Sequence, residues 1–366
     1  MPLSSEQRSD LRLACKQALG GFKETDPAET LRRAAAWCEE NAVQHDVYGG
    51  GKVIADFEEK IAQELGKQAA AFMPSGIMAQ LIAARIWCEQ QDVKRIGLHA
   101  SSHLIGHEEQ AFEALFGLHG VVIGDAQKII TAEDLKRVAE PLACLFIELP
   151  MRELGGVLPN WEELEALKRS ASDLGIMLHM DGARLWESRA FYQRSYAEIS
   201  EGFDSVYVSL YKGIGGVAGA ILAGDASFIA NAKLWRRRMG GTLPRMSPMI
   251  ATAAMRFDER LAILEQCFER TKALAKSLAG IAGIRILPAT PQCNMMHVFF
   301  DRPREALLDA RDKVAAEDGV WLLGWARDAD TPGFSRTELY IGDNALEISD
   351  DHAADLFRKL MLNARP

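Results

Sequence analysis

The sequence predicts an α/β protein: a mostly parallel sheet flanked by helices, followed by a smaller α+β C-terminal domain. Three observations carry this. Between Ala69 and Gly224, short apolar runs alternate with stretches of helical spacing, the pattern of strand–helix units whose strands pair in parallel. After Pro244 the alternation stops, and a long helical stretch leads into a mixture of strands and helices. The chain has 366 residues, 48% hydrophobic and 25% charged, a globular composition with room for two domains. We expect an N-terminal helical segment at 1–46, a large domain at 47–245 and a small domain at 246–366.

Residues 8–42 carry helical spacing broken at Gly20-Gly21 and Asp26-Pro27, which predicts two short helices. The glycine turn at 49–51 precedes an amphipathic helix over 54–65, with Gly66 as its stop. Strands are expected at 69–73, 96–99, 121–123, 142–149, 176–181, 206–210 and 220–223. The intervening helices open at Pro74-Ser75-Gly76, at Thr131-x-x-Asp134 and at Asn160-x-x-Glu163, the last two being capping signals. Beyond 245 the pattern predicts a helix over 249–278, strands at 284–287 and 295–300, a helix over 304–316, strands at 321–325 and 337–341, and a final helix over 350–362.

A formal net charge of −9 argues against general affinity for nucleic acid or anionic membranes. The six cysteines include no C-x-x-C pair, so reduced core thiols are expected rather than disulfides or a metal site. The N-terminus lacks an apolar signal region and no run reaches membrane-spanning length, which makes a cytoplasmic location the default expectation.

The chemistry is organised around Val206-Tyr-Val-Ser-Leu-Tyr-Lys212-Gly-Ile-Gly-Gly-Val-Ala-Gly219. A strand-end lysine is often merely solvated. An ammonium set among aromatic and β-branched residues, however, needs a partner, a depressed pKa or a covalent task. Gly213 to Ala218 also fits G-x-G-x-x-A, a dinucleotide-binding turn, but a second strand follows where that motif needs a helix, and no acidic residue stands about 20 positions on. Asp181 ends a strand, at the edge where ligands bind in open α/β sheets. The Ser75-Gly76 turn opens a helix, whose first N–H groups are an anion site as well as an ordinary cap. With His103, these residues supply what pyridoxal phosphate requires: a lysine for its aldehyde, a carboxylate for its ring nitrogen, donors for its phosphate and a flat group beside its ring. His99, His107 and His119 are expected to be surface or core histidines, and Arg236-Arg237-Arg238 a solvated helix face.

The segment His179-Met-Asp181-Gly-Ala-Arg184-Leu resembles the H-x-D-G-A-R signature of the threonine aldolase and β-eliminating lyase family of pyridoxal-phosphate enzymes. Ser209-Leu-Tyr-Lys212-Gly resembles its lysine motif. Tyr48-Gly49, Pro74-Ser75-Gly76, Ser102-His103 with Glu108, and Gly155-Gly156 follow in the family's order, so the likeness covers roughly 45–225. It implies the aspartate-aminotransferase fold, fold type I, with a seven-stranded-type large-domain sheet. By matching position, Lys212 would bind the cofactor aldehyde, Asp181 would face the pyridine nitrogen, and His103 would stack on the ring and exchange a proton. Ser75, Gly76, Ile77 and Ser209 would hold the phosphate, while Arg184 would reach the cofactor's 3′-oxygen or the substrate carboxylate. Arg336 would clamp the α-carboxylate and Tyr48 would approach the site across a subunit interface, implying a homodimer or homotetramer.

The sequence departs from the family on the substrate side. The family's Asn-Thr-His-Asn is Leu149-Pro-Met151-Arg152 here, so its histidine is absent; Ser-Gly-Thr is Ser75-Gly76-Ile77, and the acidic Tyr-Gly-Asp-Asp is Tyr48-Gly49-Gly50-Gly51. His103 or an ordered water is then the expected base, with Arg152 or Glu153 reading a polar β-substituent. The expected reaction is retro-aldol cleavage of a threonine-like β-hydroxy-α-amino acid to glycine and an aldehyde. The alternatives are β-elimination or transamination at the same cofactor, a catalytically inactive relative of the fold, and a nicotinamide dehydrogenase.

Overall fold

In a computed structural model, which describes residues 3–23 and 25–364, the alternating segment forms a seven-stranded sheet. Its strands are β1 (Ala69–Met73), β2 (Arg95–Leu98), β3 (His119–Val122), β4 (Cys144–Glu148), β5 (Met177–Gly182), β6 (Ser205–Ser209) and β7 (Ala220–Gly224), in the spatial order β1-β7-β6-β5-β4-β2-β3. Strand β7 is antiparallel to both its neighbours, β1 and β6, while β6, β5, β4, β2 and β3 pair in parallel. Every strand except β7 therefore runs the same way, and the ends of β1, β2, β4, β5 and β6 open on one edge.

The chain divides into two units. The first comprises Thr25–Met151 and Leu158–Ala262, and the second Met1–Glu24, Arg152–Val157 and Ile263–Pro366. In the first, helix α1 (Gly76–Gln91) is apolar almost all round and buries Leu81, Ile82, Ile86 and Trp87 against one face of the sheet. Trp87 stacks on Phe228 with ring centroids 4.6 Å apart. The helix starts where Ser75 Oγ accepts the Met78 N–H at 3.2 Å. At Asn160 the capping box is complete: its side chain accepts the Glu163 N–H at 2.9 Å and Glu163 accepts the Asn160 N–H at 2.8 Å.

The second unit has an antiparallel sheet of β8 (Ile284–Leu287), β9 (Met295–Phe300), β10 (Arg327–Asp328) and β11 (Ser335–Tyr340), ordered β10-β11-β9-β8. Its core gathers Leu278, Val298, Phe300, Leu307, Val314, Phe357 and Leu360. Helix Ser5–Ala14 is tied to helix Arg304–Asp318 by Arg8, which bonds Asp312 at 2.7 Å and Asp309 at 3.0 Å. Glycine is required at Gly155 and Gly156: both have φ near +80°, and a Cβ would lie 2.3 Å from Leu287 O and 2.5 Å from Cys293 Sγ respectively.

One expected strand needs correction. The strand expected over 321–325 is only Val320–Trp321, which pairs with Gln17–Ala18, because Trp321 and its neighbours bury apolar side chains without a longer partner. The stretch after β7 forms the helix Ala226–Arg238, whose last turn carries Arg236-Arg237-Arg238. The dinucleotide reading still fails, since Gly213–Ala218 joins two antiparallel strands and opens no helix. Among the described residues, no helix is long and apolar enough to cross a membrane.

Candidate active site

Parallel strand direction decides which residues meet. Ser75 and Gly76 follow β1, His103 lies beyond β2, Glu148 ends β4, Asp181 stands one residue from the end of β5, and Ser209 ends β6 with Lys212 three residues on. Register places Glu148 beside Asp181 and Asp181 beside Tyr207, so three polar side chains share one row across β4, β5 and β6. Below that row, His179 pairs with Ser205. The sequence-predicted residues Ser75, Gly76, Ile77, His103, Asp181, Arg184, Ser209 and Lys212 thus all belong to the first unit.

Asp181 is 4% exposed and held through both oxygens: Oδ1 accepts the Ala183 N–H at 3.1 Å and Oδ2 accepts from Gln80 Nε2 at 2.6 Å. Gln80, from α1, places its carbonyl 3.2 Å from His179 Nε2; His179 Nδ1 lies 2.7 Å from Ser205 Oγ, which accepts the Trp87 indole N–H at 2.8 Å. Burial pushes the His179 imidazole down to about 3. Tyr207 packs against the start of α1 so closely that a Cβ on Gly76 would lie 2.1 Å from its hydroxyl. Burial, with the Asp181 carboxylate and the Tyr211 hydroxyl adding to it, pushes that phenol well up.

Lys212 is half-buried. Burial lowers its pKa and the Arg184 guanidinium adds to the effect, against the opposing carboxylates of Asp181, Glu148 and Glu187. His103 Nδ1 lies 2.9 Å from Oε1 of Glu108, whose other oxygen is buried without a hydrogen-bond partner. Ser209 is buried and its hydroxyl accepts the Tyr211 N–H at 3.3 Å. Ile77 is exposed on the first turn of α1. Tyr48 is 59% exposed in a turn braced by buried Asp46, which accepts N–H bonds from Gly49, Met246 and Ser247 at 3.0, 2.7 and 2.8 Å.

Arg336 belongs to the second unit, on β11, in a cluster around Glu153. Glu153 Oε2 accepts from Arg327 at 2.6 Å and lies 3.6 Å from Arg336; Arg152 reaches Glu153 at 3.3 Å and Glu338 at 2.7 Å. Although burial opposes it, the hydrogen bond from Arg327 and the three guanidinium charges bring the Glu153 carboxyl down to about 2. His297, 3.4 Å from Arg336, is lowered to about 4 by burial first and by that arginine second.

One charged run is corrected. Arg237 and Arg238 are exposed, but Arg236 is 5% exposed and donates to Phe72 O at 2.6 Å, because the helix turns that side toward β1 and Glu58. The sequence motifs assign no role to Gln80 or Ser205. For Gln80 the signal was present: one amide inside the apolar helical run Ile77 to Trp87, where an uncompensated polar group is costly.

Comparison with known proteins follows the same lines. The family model "Beta-eliminating lyase" matches residues 24–301. A probable low-specificity L-threonine aldolase of Arabidopsis thaliana is 28% identical over 311 residues, covering 82% of this chain and 85% of its own. A putative L-allo-threonine aldolase from Listeria monocytogenes superposes with a TM-score of 0.91 at 39% identity, covering 97% of this chain and 98% of that one. A putative aromatic amino acid β-eliminating lyase/threonine aldolase from Exiguobacterium superposes with a TM-score of 0.91 at 35% identity, covering 97% and 99%.

Proposed function

Because this chain belongs to the β-eliminating lyase family, we propose that it is a pyridoxal-phosphate-dependent lyase that cleaves a threonine-like β-hydroxy-α-amino acid to glycine and an aldehyde. The observation that carries the reading is one sheet edge bearing an amine of lowered pKa at Lys212 and a carboxylate at Asp181 held by two donors. The donor set fits the cofactor. As at any helix N-terminus, the first N–H groups of α1 lack intrahelical acceptors, and Gly76 lets the Tyr207 hydroxyl pack against this turn, where a Cβ would lie 2.1 Å from it. When bound, the pyridoxal ring supplies an electron sink for the pair left on Cα as Cα–Cβ breaks.

The chain's own residues do the rest. Lys212, its ammonium disfavoured by burial and by Arg184, would supply the amine for the cofactor aldehyde. Asp181 faces the ring nitrogen. Ser75, Gly76 and Ile77, with Ser209, hold the phosphate, and Arg184 offers its planar fork to an oxygen of the cofactor or to the substrate. His103 flanks the ring. With its Nδ1–H given to Glu108, its Nε2 lone pair takes the β-hydroxyl proton. Arg336 is assigned the substrate's α-carboxylate, and the active form is a homodimer or homotetramer in which Tyr48 serves a neighbouring site.

The test is the absorption spectrum of the protein with added pyridoxal phosphate. The visible band of the lysine-bound cofactor is expected in the wild type and lost in Lys212→Ala; a band that survives the substitution sinks the assignment. Product analysis with threonine and allo-threonine is expected to give glycine plus acetaldehyde, and ammonia plus a keto acid would assign β-elimination instead.

A further inference from the structure

The buried hydrogen bonds behind Asp181 have one consistent direction. An indole N–H only donates, so Ser205 Oγ accepts from Trp87. A carboxylate only accepts, so Gln80 turns its amino group to Asp181 and its carbonyl to His179 Nε2, which must carry the proton. His179 is completely buried with no carboxylate on its ring and remains neutral, burial holding its pKa near 3. Its Nδ1 is therefore bare and accepts the Ser205 hydroxyl proton. Both ends of the chain are of fixed type, so each proton has a single position.

We propose that Gln80, locked in one orientation by His179, Ser205 and Trp87, is a positioning residue that fixes the Asp181 carboxylate and through it keeps the cofactor's ring nitrogen protonated. The chain orients and does not conduct, since the indole that ends it gives up no proton and a neutral imidazole between fixed partners has none to pass on. Without the amide, Asp181 Oδ2 and His179 Nε2–H would face each other's space unsatisfied, and among the described residues the carboxylate would keep the Ala183 N–H as its donor. This inference rests on the reading of Asp181 as the partner of the ring nitrogen.

The full chain is reconstituted with pyridoxal 5′-phosphate labelled with 15N in the ring, and the ring-nitrogen shift is followed against pH. The proteins compared are the wild type, Gln80→Leu, Gln80→Met, Asp181→Asn and the double variant Gln80→Leu/Asp181→Asn. Both Gln80 variants are expected to move the shift toward the unprotonated value, less far than Asp181→Asn does, with kcat down on the order of tenfold and KM little changed. In the Asp181→Asn background Gln80→Leu should move the shift no further. A wild-type shift in the Gln80 variants, with Asp181→Asn displaced, overturns the inference and leaves the reading of Asp181 standing. An undisplaced Asp181→Asn removes both. One arm needs neither variant nor cofactor: the His179 ring nitrogens of the cofactor-free wild type are expected as the neutral Nε2–H tautomer, and the Nδ1–H tautomer would contradict the chain.

Discussion

At Gly76 one hydrogen atom decides whether α1 can begin where it does. A Cβ there would lie 2.1 Å from Tyr207 Oη and 2.6 Å from Cζ, and the ring is 3% exposed, with little freedom to withdraw. Gly76→Ala should therefore displace the first turn, costing about 1–3 kcal/mol of stability. It should weaken pyridoxal phosphate binding by more than about tenfold in an absorbance titration, by analogy with misplaced supporting contacts. Unchanged cofactor affinity would show that this turn does not hold the phosphate. The same crowding explains why the residue scale was only half legible. His179, Asp181, Arg184 and Lys212 stand out because their sequence context is distinctive. Gln80, Glu148 and Tyr207 acquire roles only when strand register and helix packing bring them to the same row.

Elements were legible where local chemistry sets their ends. Asn160 and Glu163 form the reciprocal cap expected from their spacing, and helix Trp161–Asp173 begins there. Asn160→Ala should cost about 1 kcal/mol in denaturant unfolding, without altering the cofactor spectrum. A loss of spectrum would tie this helix to the site. Strands β8 and β9 fall at 284–287 and 295–300, where alternation and turn residues marked them. Elements failed where burial by a distant segment decides. The 321–325 run shortens to a two-residue pairing because its partner, Gln17–Ala18, is remote in sequence. Arg236 sits on the inward side of its helix, since β1 offers a carbonyl there, and no property of the Arg236-Arg237-Arg238 run distinguishes it from its exposed neighbours.

On the scale of the whole molecule, buried neutral imidazoles and one arginine-held carboxylate set the response to acid. His179 and His297 fall from the ordinary 6.5 to about 3 and about 4, and Glu153 from 4.5 to about 2. Below pH 6.5 the unfolded chain holds protons on these imidazoles that the folded chain refuses, so stability falls as pH falls. The loss is about 1.4 kcal/mol per pH unit for each histidine until its folded pKa is reached. Glu153 acts in the same direction: its stabilisation is full above 4.5 and is lost as pH drops toward 2. Urea midpoints are expected to decline from neutral pH to about pH 5, and a flat profile over that range would contradict the buried, neutral state of both histidines. The sequence by itself determined the alternation of strands and helices, the small α+β region and the motifs around Asp181 and Lys212 on which the proposed chemistry rests, because periodicity, caps and motif spacing are properties of neighbours along the chain. Only the tertiary structure decided that β7 alone runs backward, that Glu148, Asp181 and Tyr207 form one row, and that Gln80 reaches Asp181. Those facts depend on register and packing between segments as far apart along the chain as Ala69 and Gly224, which no local pattern records.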